Sequence, residues 1–198
     1  MTDAFKSVSL RESLRGTNLY LVGMMGSGKS KTGPFLAQHL SYSFVDSDVV
    51  LEKSVGKSIT QIFNEDGETV FREIETQVLQ AIGERHSLVV ATGGGVVIRS
   101  ENWGVLQQGV VIWINPSRDQ ILARFKNSPN DRPLLNSNQP GTNFDSILSV
   151  REKFYEEADL HITVENESPE EVATKILELL PTIIKPHQDP SAPQTTAN

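Results

Sequence analysis

The chain has 198 residues, 18 basic and 25 acidic side chains, a net charge of −7 and no cysteine. That length suits one domain able to bury a core, and the negative balance argues against nucleic acid or an anionic membrane as partner, so any anion site must be a local gathering of cations. Without a thiol there is no disulfide, thiolate metal site or cysteine nucleophile. In chain order, "SLRESLR" suggests a short helix, and "NLYLVG", Asn18 to Gly23, a short apolar strand. Phe35, Leu36, His39 and Leu40 then fall at helical spacing. "SYSFVDSD" reads as a second strand ending in acids. Gaps of three and four among Ile59, Ile62, Phe63, Phe71, Ile74, Val78 and Ile82 argue for amphipathic helices. "SLVVATGGG" is a buried strand running into glycines, and "VVIWIN" another, ended by Pro116. A helix "SRDQILARF" follows with Ser117 as N-cap. "HITVE" is the fifth strand, and "SPEEVATKILELL" a last helix with Ser168 as N-cap and Pro169 in its first position.

Alternating strands and helices imply an α/β fold with a parallel sheet and helical crossovers. In such sheets ligands sit beyond the carboxyl ends of the strands. Gly23 onward, Asp46 with Asp48, and Gly93–Gly95 each end a predicted strand. Residues 126–143 are dense in Pro, Asn, Ser and Gly, a length and composition that read as a mobile lid. The proline-rich residues 185–198 read as a disordered tail, leaving residues 1–184 as a single domain. No apolar run approaches the ~20 residues of a membrane span. The start "MTDAFKSVSL" lacks the features of a secretory leader. A cytoplasmic protein with no nucleic-acid or membrane partner is therefore expected.

"GMMGSGKS", Gly23 to Ser30, matches the P-loop pattern between a predicted strand and a predicted helix. Its glycines let backbone N–H groups of Gly26, Ser27, Gly28 and the residues after them, through Lys31, turn onto phosphate, and the helix N-terminus adds its positive dipole end. Lys29 can reach the β- and γ-phosphates of ATP, and the Ser30 hydroxyl can ligate Mg²⁺. "DSD" places Asp46 and Asp48 on one side of an extended segment, either as a solvated strand end or as a site where Asp46 holds Mg²⁺ through water and Asp48 accepts a substrate hydroxyl. In "FREIE", Arg72 and Glu75 form either a plain surface pair or an arginine oriented toward an anionic substrate. Gly93, Gly94 and Gly95 make a turn or a set of N–H donors. Arg132, in the expected lid, suits transferring phosphate. Arg151 opens a predicted helix with Tyr155 one turn on, and alone is a surface arginine.

The ordered set "GMMGSGKS", "DSD", "GKSITQIFNEDGETVFREIE", "ATGGG", "RPLL" and "REKFYEEAD" resembles the shikimate kinases from about Leu19 to Leu180. The resemblance implies a three-layer P-loop kinase fold with a five-stranded parallel sheet. It also implies transfer of the γ-phosphoryl of ATP to the 3-hydroxyl of shikimate, on the way to chorismate and the aromatic amino acids, by a monomeric enzyme. It assigns Lys29 to the phosphates, Ser30 and Asp46 to Mg²⁺, and Asp48 to the shikimate hydroxyls and their deprotonation. Arg72 and Arg151 grip the carboxylate, with Glu75 orienting Arg72 and the Gly94 backbone touching substrate. Arg132 closes over phosphate and Arg124 packs on adenine. Three departures stand out. Lys31 replaces the usual Thr after Ser30, Pro34 falls early in the following helix, and the lid is one or two residues longer than in compact relatives. Rival readings are another P-loop small-molecule kinase, such as a gluconate kinase or nucleoside monophosphate kinase, and a non-catalytic binding protein on this scaffold.

Overall fold

The computed structural model describes residues 10–126 and 140–184. Five strands, β1 (Leu19–Val22), β2 (Ser43–Asp46), β3 (Leu88–Ala91), β4 (Val110–Pro116) and β5 (Leu160–Val164), form one sheet in the order β2-β3-β1-β4-β5, and every described pair is parallel. The helices are α1 (Lys29–Leu40), α2 (Ser47–Val55), α3 (Ile59–Glu65), α4 (Gly67–Gly83), α5 (Ser100–Leu106), α6 (Arg118–Lys126), α7 (Pro140–Tyr155) and α8 (Pro169–Ile183). This is the three-layer α/β fold expected.

The period-two alternation of the strands divides the core. Leu19 and Leu21 of β1 join Leu36 and Leu40 of α1, Ile176 and Leu180 of α8, and Leu10 and Leu14 of a helical turn at residues 10–14. Tyr20 and Val22 point to the opposite layer, with Phe71, Leu79 and Ile82 of α4, Leu106 of α5 and Tyr155 of α7. A strand buried on both faces must be apolar throughout, and "LYLV" is. Both expected N-caps are present. Ser117 Oγ accepts from Gln120 N, and Ser168 Oγ accepts from Glu171 N with Glu171 reaching back to Ser168 N. No helix among the described residues is long and apolar enough to cross a membrane.

Several boundaries differ from expectation. β2 stops at Asp46, whose carboxylate Oδ1 accepts from the backbone N–H groups of Asp48 and Val49 and so starts α2. Asp46 and Asp48 are therefore an N-cap and a first-turn residue, not neighbours on an extended segment. α7 begins at Pro140, so residues 140–143, counted with the lid, belong to a helix, as does Lys126 at the end of α6. Arg151 lies near the end of α7 rather than opening it. α5 was not foreseen, and α8 runs past Leu180 through Pro181. Pro34 sits in the second turn of α1, exposed, where it withholds an N–H from the Ser30 carbonyl, an arrangement that costs roughly 3 kcal/mol in an ordinary helix interior. Arg132 and residues 185–198 lie outside the described residues.

Candidate active site

Parallel strands carry their loops to one end of the sheet, and there three clusters meet, two of them strand ends expected from sequence and one a helix face. The first is the turn between β1 and α1. Gly23, Gly26 and Gly28 all have positive φ, at 135°, 78° and 108°, a region glycine enters without steric penalty. Glycine is also required by space. A Cβ on Gly26 would collide with the Phe125 ring, and one on Gly23 with the Ile114 carbonyl. The Lys29 ammonium spans the loop, donating to Gly23 O at 2.8 Å and Met24 O at 2.9 Å. Arg124 Nη1 donates to Gly26 O at 2.8 Å and Ser27 O at 3.1 Å from the other side. Two cations thus stand at a loop whose N–H groups head α1, an anion-binding arrangement. Lys31 is exposed in the first turn of α1, its N–H bonded to Gly28 O.

The second cluster belongs to α4. Arg72 and Glu75 are one turn apart on the buried side of that helix, and Arg72 Nη1 donates to Glu75 Oε2 at 2.7 Å. Glu68 accepts from Arg72 Nε and Nη2, and the guanidinium lies over the Phe71 ring. Burial alone opposes its charge, but Glu75 and Glu68 more than offset this, and its pKa is raised. Burial also lifts the Glu75 carboxyl, against the pull of Arg72 and Arg151. The pair is no plain surface bridge, since Arg72 is 9% exposed and Glu75 4%.

The third cluster is the Gly93–Gly95 turn after β3, and each glycine leaves room for a different functional side chain. A Cβ on Gly93 would meet Glu75 Oε1 and Asp48 Oδ1, at 2.7 and 2.9 Å. One on Gly94 would lie 3.5 Å from Arg151 Nη1, and one on Gly95 would overlap the Arg72 guanidinium. Gly93 N donates to Ser47 Oγ, tying this turn to the start of α2. Arg151 arrives from α7, 4% exposed, with its pKa lowered by burial and then by the like charge of Arg72. Two buried polar atoms in this cluster, Glu75 Oε1 and Arg151 Nη1, find no hydrogen-bond partner among the described residues. Buried polar groups are normally satisfied, so this pair marks a place for ligand atoms.

Asp48 faces the same crevice. Burial, followed by the negative charges of Asp46 and Glu75, pushes its carboxyl up to about 6, with Lys29 pulling the other way. The crevice encloses ≈ 350 Å³, lined by Lys29, Ser30, Asp48, Arg72, Glu75, the three glycines and Arg151, with Phe63 and Phe71 as an apolar wall. The Phe63 and Phe71 rings meet at 4.5 Å between centroids, tilted by 37°. Their sequence spacing is that of a buried helix face, and the crevice uses part of that face as its wall. Glu52 also lines the crevice, one turn after Asp48, and accepts from Ile59 N to join α2 to α3. A second hollow of ≈ 630 Å³ opens beyond β4 and β5, between α6 and α7, with Met24 of the P-loop in its wall. Arg132 lies outside the described residues. The other site residues expected from sequence stand around the P-loop and the crevice it opens on.

Known proteins share this sequence and fold. A sequence model of the family described as shikimate kinase matches residues 25–181. The chain is 54% identical over 190 residues to a shikimate kinase of Prochlorococcus marinus, covering 96% of this chain and 100% of that protein. It is 51% identical over 185 residues to one from a Synechococcus species, covering 93% and 96%. Among solved structures, shikimate kinase from Acinetobacter baumannii in complex with shikimate superposes with a TM-score of 0.83 at 35% identity, covering 87% of this chain and 97% of that one. A gluconokinase from Sinorhizobium meliloti reaches a TM-score of 0.54 at 18% identity, a likeness of fold alone.

Proposed function

This chain belongs to the shikimate kinase family, an ATP-dependent phosphotransferase acting on shikimate, and on that premise we propose how the crevice divides the work. The P-loop takes the triphosphate, with its N–H groups and Lys29 on the β- and γ-phosphates. The adenosine lies on the side of the loop where Arg124 and the larger hollow stand. Arg72 and Arg151 take the shikimate carboxylate. Two guanidiniums meeting at the Gly93–Gly95 turn, one with an unsatisfied buried nitrogen, form a small-anion site separate from the phosphate loop. Glu75 holds Arg72 in place.

Asp48 accepts the hydrogen bond of the 3-hydroxyl and receives its proton as the phosphoryl group arrives. A carboxyl standing at about 6 is ionised at neutral pH yet basic enough to help, which is the balance a general base needs. Phosphoryl transfer depends chiefly on positioning and charge neutralisation, and Lys29 supplies the fixed charge. From the lid, Arg132 adds a second by its place in "RPLL".

The oxygen donors here suit Mg²⁺. Ser30 offers a hydroxyl, and Asp46, whose Oδ1 is occupied by α2, keeps a second carboxylate oxygen. No group of three His, Cys, Asp or Glu side chains among the described residues forms a closed cage. That fits an ion held by one or two protein oxygens plus substrate phosphates. When bound, it would neutralise phosphate charge. The same reading takes the enzyme as a monomer working in the cytoplasm, where ATP is supplied.

The meeting of both arginines on the three-glycine turn carries this reading. A coupled assay of ADP release should show turnover only with shikimate present. Gly95→Ala puts a methyl into the Arg72 guanidinium, so it should raise KM for shikimate about tenfold, the loss of one charge-assisted contact, with KM for ATP near its original value. An unchanged KM for shikimate would remove Arg72 from the acceptor site.

A further inference from the structure

Tyr155 is the last residue of α7 and fully buried. Its ring stacks on Trp113 of β4 at 5.7 Å between centroids. Ring burial accounts for an aromatic residue here, but a phenylalanine would fill the same space. The hydroxyl needs another explanation, because burying it is favourable only if it is bonded. It donates to Gly94 O, across 61 residues of sequence. One turn earlier on α7 stands the Arg151 guanidinium, whose positive charge stabilises the phenolic oxygen. Met24 Sδ of the P-loop is 3.7 Å away.

We propose that the Tyr155 hydroxyl is a positioning group for the acceptor site, holding Arg151 and the Gly94–Gly95 peptide in the geometry that receives the shikimate carboxylate. The proposal rests on Arg151 binding that carboxylate. Two physical links carry it. Arg151 is nearly enclosed, and its Nη1 has no partner among the described residues. A guanidinium is planar, so steadying it at the tyrosine oxygen leaves Nη1 in a fixed direction. The C=O and N–H of a trans peptide point opposite ways. Anchoring Gly94 O to Tyr155 therefore turns Gly95 N–H away from the Tyr155 end of α7. The residue touches neither phosphate nor the reacting hydroxyl and acts through these two groups.

Tyr155→Phe keeps the Trp113 stack and removes one oxygen. The test compares kcat/KM for shikimate and for its analogue with a hydroxymethyl group in place of the carboxylate, in the original enzyme, in Tyr155→Phe and in Arg151→Lys. With shikimate, Tyr155→Phe should lower kcat/KM about tenfold or more, chiefly through KM, as expected for losing support of a charged contact. With the analogue, the same substitution should make little difference. An equal loss on both substrates, or no loss on either, overturns the proposal while leaving Arg151 in place, provided Arg151→Lys weakens shikimate more than the analogue. If Arg151→Lys also weakens both substrates equally, the carboxylate assignment falls and the Tyr155 proposal with it.

Discussion

The two ends of the sheet solve opposite problems with similar turns. At the carboxyl end, left-handed backbone falls on glycines, at Gly23, Gly26 and Gly28. Lys29, Arg72, Glu75 and Arg151 are buried there, and two of their atoms lack partners among the described residues. At the amino end, left-handed backbone falls also on Arg15, Ser41 and Ser87. Most of the polar groups described there are paired, the buried Tyr42 hydroxyl being an exception. Ser87 N donates to Gly16 O, Asn18 Oδ1 accepts from Leu88 N, and Asn18 Nδ2 donates to Arg85 O. One end spends stability on unpaired charge and uses glycine wherever backbone must approach a ligand. The other only has to turn the chain, so it tolerates some backbone strain and leaves at most a neutral hydroxyl, that of Tyr42, without a partner among the described residues. Substitutions at the first end should therefore change activity, whichever way stability moves, and those at the second should change stability alone.

Lys29→Ala should show the largest effect. Turnover should fall at least ~100-fold, because a charge-assisted contact counts for more as charge develops in the transition state. The ammonium also ties Gly23 O and Met24 O, and Lys29 is only 7% exposed. The melting temperature should drop as well, where reading the loop as exposed would predict no change. Near-normal turnover would sink the phosphate role and with it the contrast between the ends.

Asp48→Asn sharpens the contrast, since its two effects run in opposite directions. Turnover should fall by ~100-fold or more through loss of the base, with ATP affinity little changed. Stability should rise. The carboxyl stands at about 6 in the folded protein against 3.8 for the free group, so folding favours the protonated form. The native state is penalised increasingly as pH rises from 3.8 through 6, reaching up to about 3 kcal/mol above that window. Urea unfolding at pH 8 should show most of that gain in Asp48→Asn, and at pH 3.5 almost none. The original enzyme should lose kcat/KM as pH falls through about 6. A stability loss at pH 8 would mean the carboxylate is structurally satisfied and not poised for chemistry.

Much of the catalytic end was legible in advance because its signals are local. The P-loop glycines, Lys29, Arg72 with Glu75, and the three-glycine turn each declare themselves within a few residues. The DSD stretch misled because Asp–Ser–Asp suits the end of a strand, while Asp46 actually caps the two N–H groups after it. Pro140 is a legitimate first helical residue, yet it is surrounded by Gly, Asn and Gln, which read as loop. The spacing put Tyr155 one turn after Arg151 but gave no sign of what its hydroxyl holds. Its partners, Gly94 and Met24, lie 61 and 131 residues away, and only the fold brings them together. Likewise Phe63 and Phe71 obey the period of a core face whether the space beyond them holds side chains or substrate.

The smallest prediction tests the amino end. Ser41 ends α1 in left-handed conformation at φ 53°, exposed, with its N–H bonded to the carbonyls of Ala37 and Gln38. A side chain there costs roughly 1–2 kcal/mol in steric strain, while glycine gives back up to ~1 kcal/mol through the freedom it adds to the unfolded chain. The difference leaves Ser41→Gly more stable by about 0.5–1 kcal/mol, consistent with the preference for glycine after a helix C-terminus. For a domain of this size that is a rise of about 1–4 °C in melting temperature. Activity should stay unchanged, because α1 presents its other end to the phosphate loop and the helical hydrogen bonds between are untouched. A rise in stability accompanied by lost turnover would show that strain at the amino end is transmitted along α1 to Lys29, and the two ends could no longer be treated as independent.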